Sequence, residues 1–160
     1  MNAAERVEKL FKMPQHLCNM CGKCCFVATF KGGLSHKEIL DLINDPASED
    51  SQVQGAKDFL TVFKPFDDLN EIHKKSPYFV EKVMAKLKDN EKVAFFYCKF
   101  VDKSAKCLIH EDRPVFCRMY PIPHERTIYH EKCGYEETGK KNWNEIIKIL
   151  ADLQNRLNTD

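Results

Sequence analysis

Eight consecutive residues, Cys18-Asn19-Met20-Cys21-Gly22-Lys23-Cys24-Cys25, contain four cysteines. Thiols this close in sequence converge on a metal, oxidise together or point apart, and metal binding is the favoured reading. Cys18-x-x-Cys21-Gly22-Lys23 has the form of a metal knuckle: two thiolates two residues apart reach one ion, and Gly22 permits the turn that aims backbone N–H groups at sulfur. Read as Cys18-x-x-Cys21-x-x-Cys24, the same residues have the spacing that supplies three ligands to one iron-sulfur cube. Spacing alone therefore leaves zinc and an iron-sulfur cluster, a [4Fe-4S] cube foremost, both open. Cys24 and Cys25 are adjacent, so their side chains are expected to leave the backbone in different directions. A distal ligand is then expected from Cys98, Cys107, Cys117 or Cys133, and all eight cysteines are candidate ligands.

Clustered thiolates carry charge that neighbours must balance. Two zinc ions with four thiolates each sum to about −4, and an oxidised cube adds about −2. Lys23, Lys99, Arg113, Arg118 and Lys132 lie close in sequence to cysteines. Arg113 and Arg118 are the candidates to donate to thiolates or cap carbonyls beside them. A thiol nucleophile with a histidine base lacks support, because none of the six histidines stands at a recognised spacing from a cysteine. His16, His124 and His130 flank cysteines and read as surface or supporting residues. A Cys18/Cys21 redox couple lacks its strand-to-helix setting. No catalytic residue is assigned, and no particular reaction follows.

The elements that must hold these thiols belong to a chain of 160 residues, 43% hydrophobic and 31% charged. Those values fit a single globular domain over 1–160. A formal charge of +1 offers no basic excess for a phosphate backbone, which argues against nucleic acid as partner. No segment has the length and apolarity of a membrane span or a signal peptide. A cytoplasmic location is expected, where disulfides are disfavoured and grouped thiols serve as ligands.

Along the chain, Val7, Leu10 and Phe11 mark a short amphipathic helix over 3–12 that Pro14 ends. Residues 26–30 read as a strand broken at Gly32-Gly33. Ser35-His36-Lys37-Glu38 is a capping box opening a helix with Ile39, Leu40 and Ile43 on its apolar face. Residues 47–55 are polar and small and are expected to form a mobile loop. The aromatic-rich group Phe59, Leu60, Val62, Phe63 and Phe66 has no clear period. Ser76-Pro77 predicts a helix over 77–88, with the serine as cap. A strand is predicted over 92–101, returning at 107–109 as a hairpin that sets Cys98 near Cys107. Asp112-Arg113-Pro114 opens a helical turn containing Cys117, and 127–129 is weakly strand-like. Trp143, Ile146, Ile147, Leu150, Leu153 and Leu157 trace the apolar face of a terminal helix.

Taken together, Cys18-x-x-Cys21-Gly22-x-Cys24-Cys25, then Cys98, then Cys107-x-Ile109-x-x-x-Arg113-Pro114-x-x-Cys117-Arg118-x-Tyr120-Pro121, then Cys133 resembles the YkgJ-like CxxCxxCC cysteine-cluster family. The resemblance implies a zinc- or iron-chelating domain over 18–133, with a helical insertion at about 45–90 that carries no motif. His110 departs from the tyrosine usual in the family and is read as a hydrogen-bonding substitute. Some relatives are related to a flagellin lysine methylase that carries an iron-sulfur cluster. This chain has no radical Cys-x-x-x-Cys-x-x-Cys motif and no glycine-rich nucleotide loop. The expected fold is α+β: a small cysteine- and metal-bound core with a β-hairpin and surrounding helices. The expected role is metal binding, with electron transfer or a redox reaction as one use and a structural zinc module as the other.

Overall fold

The computed structural model describes residues 1–158, which fall into two compact units, Met20–Asp112 and the pair of segments Met1–Asn19 and Arg113 onward. The fold is α+β, with eight α-helices among the described residues and a three-stranded antiparallel sheet.

The unit Met20–Asp112 holds the sheet. Its strands are β1 (Ala28–Thr29), β2 (Phe63–Pro65) and β3 (Phe95–Cys98), with β3 in the middle. Ala28 faces Phe96 on one side of β3, and Phe63 faces Cys98 on the other. Helix α2 (Lys23–Phe26) leads into β1, and α3 (His36–Asn44) follows a 3-10 turn at Lys31–Gly33. The predicted capping box is present: Ser35 Oγ accepts from the Glu38 N–H, and the Glu38 carboxylate accepts from the Ser35 N–H. Ile39 is fully buried, whereas Leu40 turns outward.

The expected loop over 47–55 is a helix from Asp50 onward, α4 (Asp50–Val62). The polar composition misled because the helix is anchored at its far end, where Ala56, Phe59 and Val62 are buried. A mid-helix glycine costs roughly 1 kcal/mol relative to alanine, and the burial of those side chains offsets it at Gly55. The unassigned aromatic group divides between α4 and β2. Phe59 stacks on Phe63 at 4.6 Å and meets Phe30 and Phe96 edge-on at 4.9 and 5.1 Å. Helices α5 (Leu69–Lys75) and α6 (Pro77–Lys86) meet at Ser76. Pro77 starts α6 as predicted, but the Ser76 side chain makes no capping bond. That residue also ends α5, its N–H donating to Ile72, so its conformation serves the earlier helix.

The strand predicted over 92–101 is shorter, and its pairing differs in detail. The antiparallel return is a single bridge, Val101 to Cys107, supported by the Leu108 N–H donating to the Phe100 carbonyl at 2.8 Å. Cys107 therefore stands opposite Val101 rather than Cys98.

In the other unit, α1 (Ala3–Phe11) is closed by an Asn2/Glu5 capping box and packs on α8 (Glu136–Leu157). Arg6 pairs with Glu145 at 3.2 Å, and Asn142 Nδ2 donates to the Leu10 carbonyl at 2.8 Å. The face of α8 is corrected. Ile146 is buried as expected, and Ile149, at 4% exposure, joins it, while Ile147 is 46% and Leu157 79% exposed. By helical rise α1 spans about 13 Å and α8 about 33 Å, so the short helix leaves the far turns of α8 open. Cys117 lies on α7 (Val115–Met119) as predicted. Residues 127–129 do not form a strand. Thr127 Oγ1 instead donates to the Ile122 carbonyl at 2.6 Å across a turn.

Candidate metal centre

In the unit Met20–Asp112, α2 begins directly after Gly22, whose φ is +70° and whose carbonyl accepts the Cys25 N–H at 2.9 Å. Successive helical residues are about 100° apart around the axis rather than the 180° of a strand. Adjacent Cys24 and Cys25 nonetheless stay within reach of each other, and a hydrogen bond with Cys24 is the leading cause that raises the Cys25 thiol. Cys25 also contacts Cys98, at the end of β3, so a chain of thiols runs Cys24, Cys25, Cys98.

Cys98 is 5% exposed, and its sulfur accepts the Phe100 N–H at 3.3 Å and the Val101 N–H. This is the backbone-to-sulfur arrangement expected of a metal knuckle, found at Cys98-Lys99-Phe100-Val101 as well as foreshadowed near Gly22. The hydrogen bond from Cys25 lowers the Cys98 thiol to about 6 against the effect of burial, helped by the two backbone donors and Lys99. Hydrogen bonds to Cys24 and Cys98, together with burial, push the Cys25 thiol strongly up. Cys25 thus keeps its proton between two sulfurs, and a cation is the natural replacement for that proton.

Cys107 is set by a loop organised on Asp102. The Asp102 side chain accepts the N–H groups of Ser104 and Lys106 at 2.8 and 2.9 Å, and its own N–H donates to the Lys106 carbonyl. A Cβ on Gly22 would lie 2.4 Å from the Ala105 carbonyl oxygen, so this loop rests on the turn between Cys21 and Cys24.

In the other unit, Cys18 and Cys133 pack on one small group of Met13, Tyr129 and Tyr135. Burial, and then the nearby charges of Cys133 and Glu136, push the Tyr129 phenol up to about 12. Cys117 is half-buried on α7. Arg118, read as a support for the cysteines, donates through Nε to the Arg113 carbonyl at 2.8 Å, a local cap. His110 Nδ1 lies 3.0 Å from the Glu111 carboxylate.

Three of the four non-glycine residues with positive φ among the described residues stand within two positions of a cysteine: Met20, Ala105 and Lys132. Left-handed backbone costs free energy and persists where surrounding structure imposes it. Sequence reading missed the backbone donors of Phe100 and Val101 and the loop that supports them. The Asp102-x-Ser104 pattern of an Asx turn was the available signal.

Among the described residues no three His, Cys, Asp or Glu side chains already surround a common point; Cys25 interacts with both Cys24 and Cys98. The donor chemistry nonetheless fits a metal, since soft sulfurs with backbone N–H donors suit zinc and iron. The fold and these thiols define a small α+β cysteine-cluster protein. More particularly, the chain belongs to the CxxCxxCC family, described as a "putative zinc- or iron-chelating domain", whose model matches residues 17–134. No curated protein matches the chain. No solved structure matches it either. Among the described residues no helix is long and apolar enough to cross a membrane.

Proposed function

We propose that the protein holds an iron-sulfur cluster, a [4Fe-4S] cube, through its cysteines and uses it for electron transfer with a redox partner in the cytoplasm. Cys24, Cys25, Cys98 and Cys107 are the ligands assigned to it in the unit Met20–Asp112, with Cys21 beside them. The observation that supports this is the buried Cys98 sulfur receiving two backbone N–H groups beside Cys25. Hydrogen bonds to sulfur and exclusion of solvent are the levers that set a cluster's potential. When bound, the cluster would supply one-electron exchange. The chain's residues supply the thiolates, the N–H donors at Cys98, and the stacked rings of Phe59 and Phe63, the latter opposite Cys98 in the sheet.

The competing reading is a structural zinc module, which the same knuckle at Cys98 also suits. Metal and acid-labile sulfide analysis after anaerobic purification separates the two. A brown protein with iron and sulfide supports the cluster. A colourless protein loaded with zinc alone overturns it in favour of the module.

A further inference from the structure

We propose that Cys25 and Cys98 are a reversible disulfide pair, through which a peroxide closes the cysteine centre of the unit Met20–Asp112 against metal. This rests on the metal-binding reading above, because the bond takes two of the sulfurs assigned there to the centre. The strand-and-helix setting that a Cys18/Cys21 couple lacks is present at this pair, with Cys25 on α2 and Cys98 at the end of β3.

The fold carries both sulfurs to one end of a strand pair. Ala28 of β1 faces Phe96 of β3 in antiparallel register, so going back along the chain from Ala28 and forward from Phe96 is travel in the same direction. Cys98 lies two strand residues further on, about 6.7 Å. Cys25 lies three residues further on, through the end of α2, a path of about 4.5–10 Å between the limits of helix and strand. Helix α2 packs on β3, and Cys25 is hydrogen-bonded to Cys98. Both backbones are tied down. The Cys25 N–H donates to the Gly22 carbonyl at 2.9 Å, and Cys98 is paired with Phe63 on the far side of β3.

Cys24, the other thiol beside Cys25, is the wrong partner. The peptide between them is trans, which sets consecutive Cα atoms about 3.8 Å apart, short of the roughly 4.4 Å at which disulfides begin. Cys98 is 5% exposed and closed to large reagents, whereas half-buried Cys25 admits a small oxidant to the pair. With hydrogen peroxide, one thiol takes up an oxygen as the O–O bond breaks, and the first water leaves. The second sulfur then attacks the oxidised one, the S–S bond forms, and that oxygen departs with the remaining proton as the second water. Two thiols have given up two electrons and two hydrogens, and the peroxide has taken them. In a reducing compartment a bond of this kind is transient and redox-sensing. A dithiol reductant reverses it and returns both sulfurs to the metal.

The test uses the full chain in two forms, as isolated without oxygen and after a chelator has stripped its metal under reduction. Each is treated with hydrogen peroxide, and disulfides are located by mass spectrometry of unreduced peptides, with fragmentation telling Cys24 from Cys25. The stripped chain is expected to lose two hydrogens and to join Cys25 to Cys98, reversibly with dithiothreitol. In the chain as isolated, metal release should keep step with the same bond. Cys24→Ser should keep the bond, and Cys98→Ser should abolish it. Because Cys98→Ser can fail to fold, the unsubstituted chain is also oxidised in denaturant, where a mixture of pairings is expected. A first bond elsewhere, the same mixture from the native stripped chain, or metal retained while Cys25 and Cys98 are joined overturns the proposal. An isolated chain without metal defeats the metal-binding reading; a stripped chain without the Cys25–Cys98 bond defeats this one.

Discussion

Gly22 and Ala105 touch backbone to backbone: a Cβ on Gly22 would stand 2.4 Å from the Ala105 carbonyl oxygen and 2.6 Å from its Cβ. The contact joins the turn between Cys21 and Cys24 to the loop that precedes Cys107. Both residues are left-handed, at φ +70° and +63°. The glycine thus meets two demands at once, a backbone conformation and a space.

Gly22→Ala is accordingly expected to destabilise the chain by about 2–4 kcal/mol, combining left-handed strain with a clash against backbone. Metal content should fall with it. Gly55→Ala is the control: nothing lies within 4 Å of its Cβ position on α4, so a gain of roughly 0.5–1 kcal/mol is expected. Urea denaturation of both variants measures the difference.

The Cys24, Cys25 and Cys98 chain predicts how the reduced, metal-free protein responds to pH. The Cys98 thiol falls from 9.0 unfolded to about 6 folded. Between these values the unfolded state binds the extra proton, so stability rises with pH through the window from about 6 to 9. Cys25 is raised above 9.0. Above that pH the folded state binds the extra proton, and stability falls again. Denaturation midpoints at pH 6, 8.5 and 10.5 should pass through a maximum near the middle value; a flat profile, or a steady fall from pH 6, would refute the thiol chain. Metal uptake should also release the Cys25 proton, measurable in weakly buffered solution.

Tyr129 and Gly139 approach closely in the unit that carries Cys133, since a Cβ on Gly139 would lie 2.0 Å from the Tyr129 hydroxyl oxygen. Gly139→Ala is expected to cost about 1–3 kcal/mol by overpacking. Adding Tyr129→Phe removes the nearest atom and should restore part of that loss. A double-mutant cycle measures the coupling, and strictly additive effects would show that the two side chains do not compete for this space.

The orientation of α8 is tested by two isoleucines. Ile149 is 4% exposed and Ile147 46%. Ile149→Ala should cost about 2–4 kcal/mol and Ile147→Ala less than about 1 kcal/mol. Equal losses in thermal or urea unfolding would mean the helix buries a different face.

What could be read from sequence was what short-range chemistry decides. The Ser35/Glu38 box closes over three residues, and Pro77 begins its helix by its own ring geometry. The short helical turn around Cys117 followed from Asp112-Arg113-Pro114, and the mixed α+β class followed from the alternation of such signals. Cysteine density marked the metal-binding family because thiols near one another in sequence have few other uses. By contrast, α4 was missed because its polar first turns are held by Ala56, Phe59 and Val62 further along. The face of α8 was misjudged because its apolar positions span more of the helix surface than nine-residue α1 covers.

By itself, then, the sequence determined the Ser35/Glu38 cap, the start of the helix at Pro77, the α+β class and membership of a cysteine-cluster family. Tertiary structure decided which cysteines meet. Cys25 lies 73 positions before Cys98, and Cys18 lies 115 before Cys133, so the contact of the first pair depends on β3 pairing within its sheet, and the sharing of one apolar cluster by the second depends on two distant turns pressing together at Gly134. Spacing along the chain controls only how neighbouring side chains leave the backbone; packing between distant segments controls which sulfurs come within reach of each other.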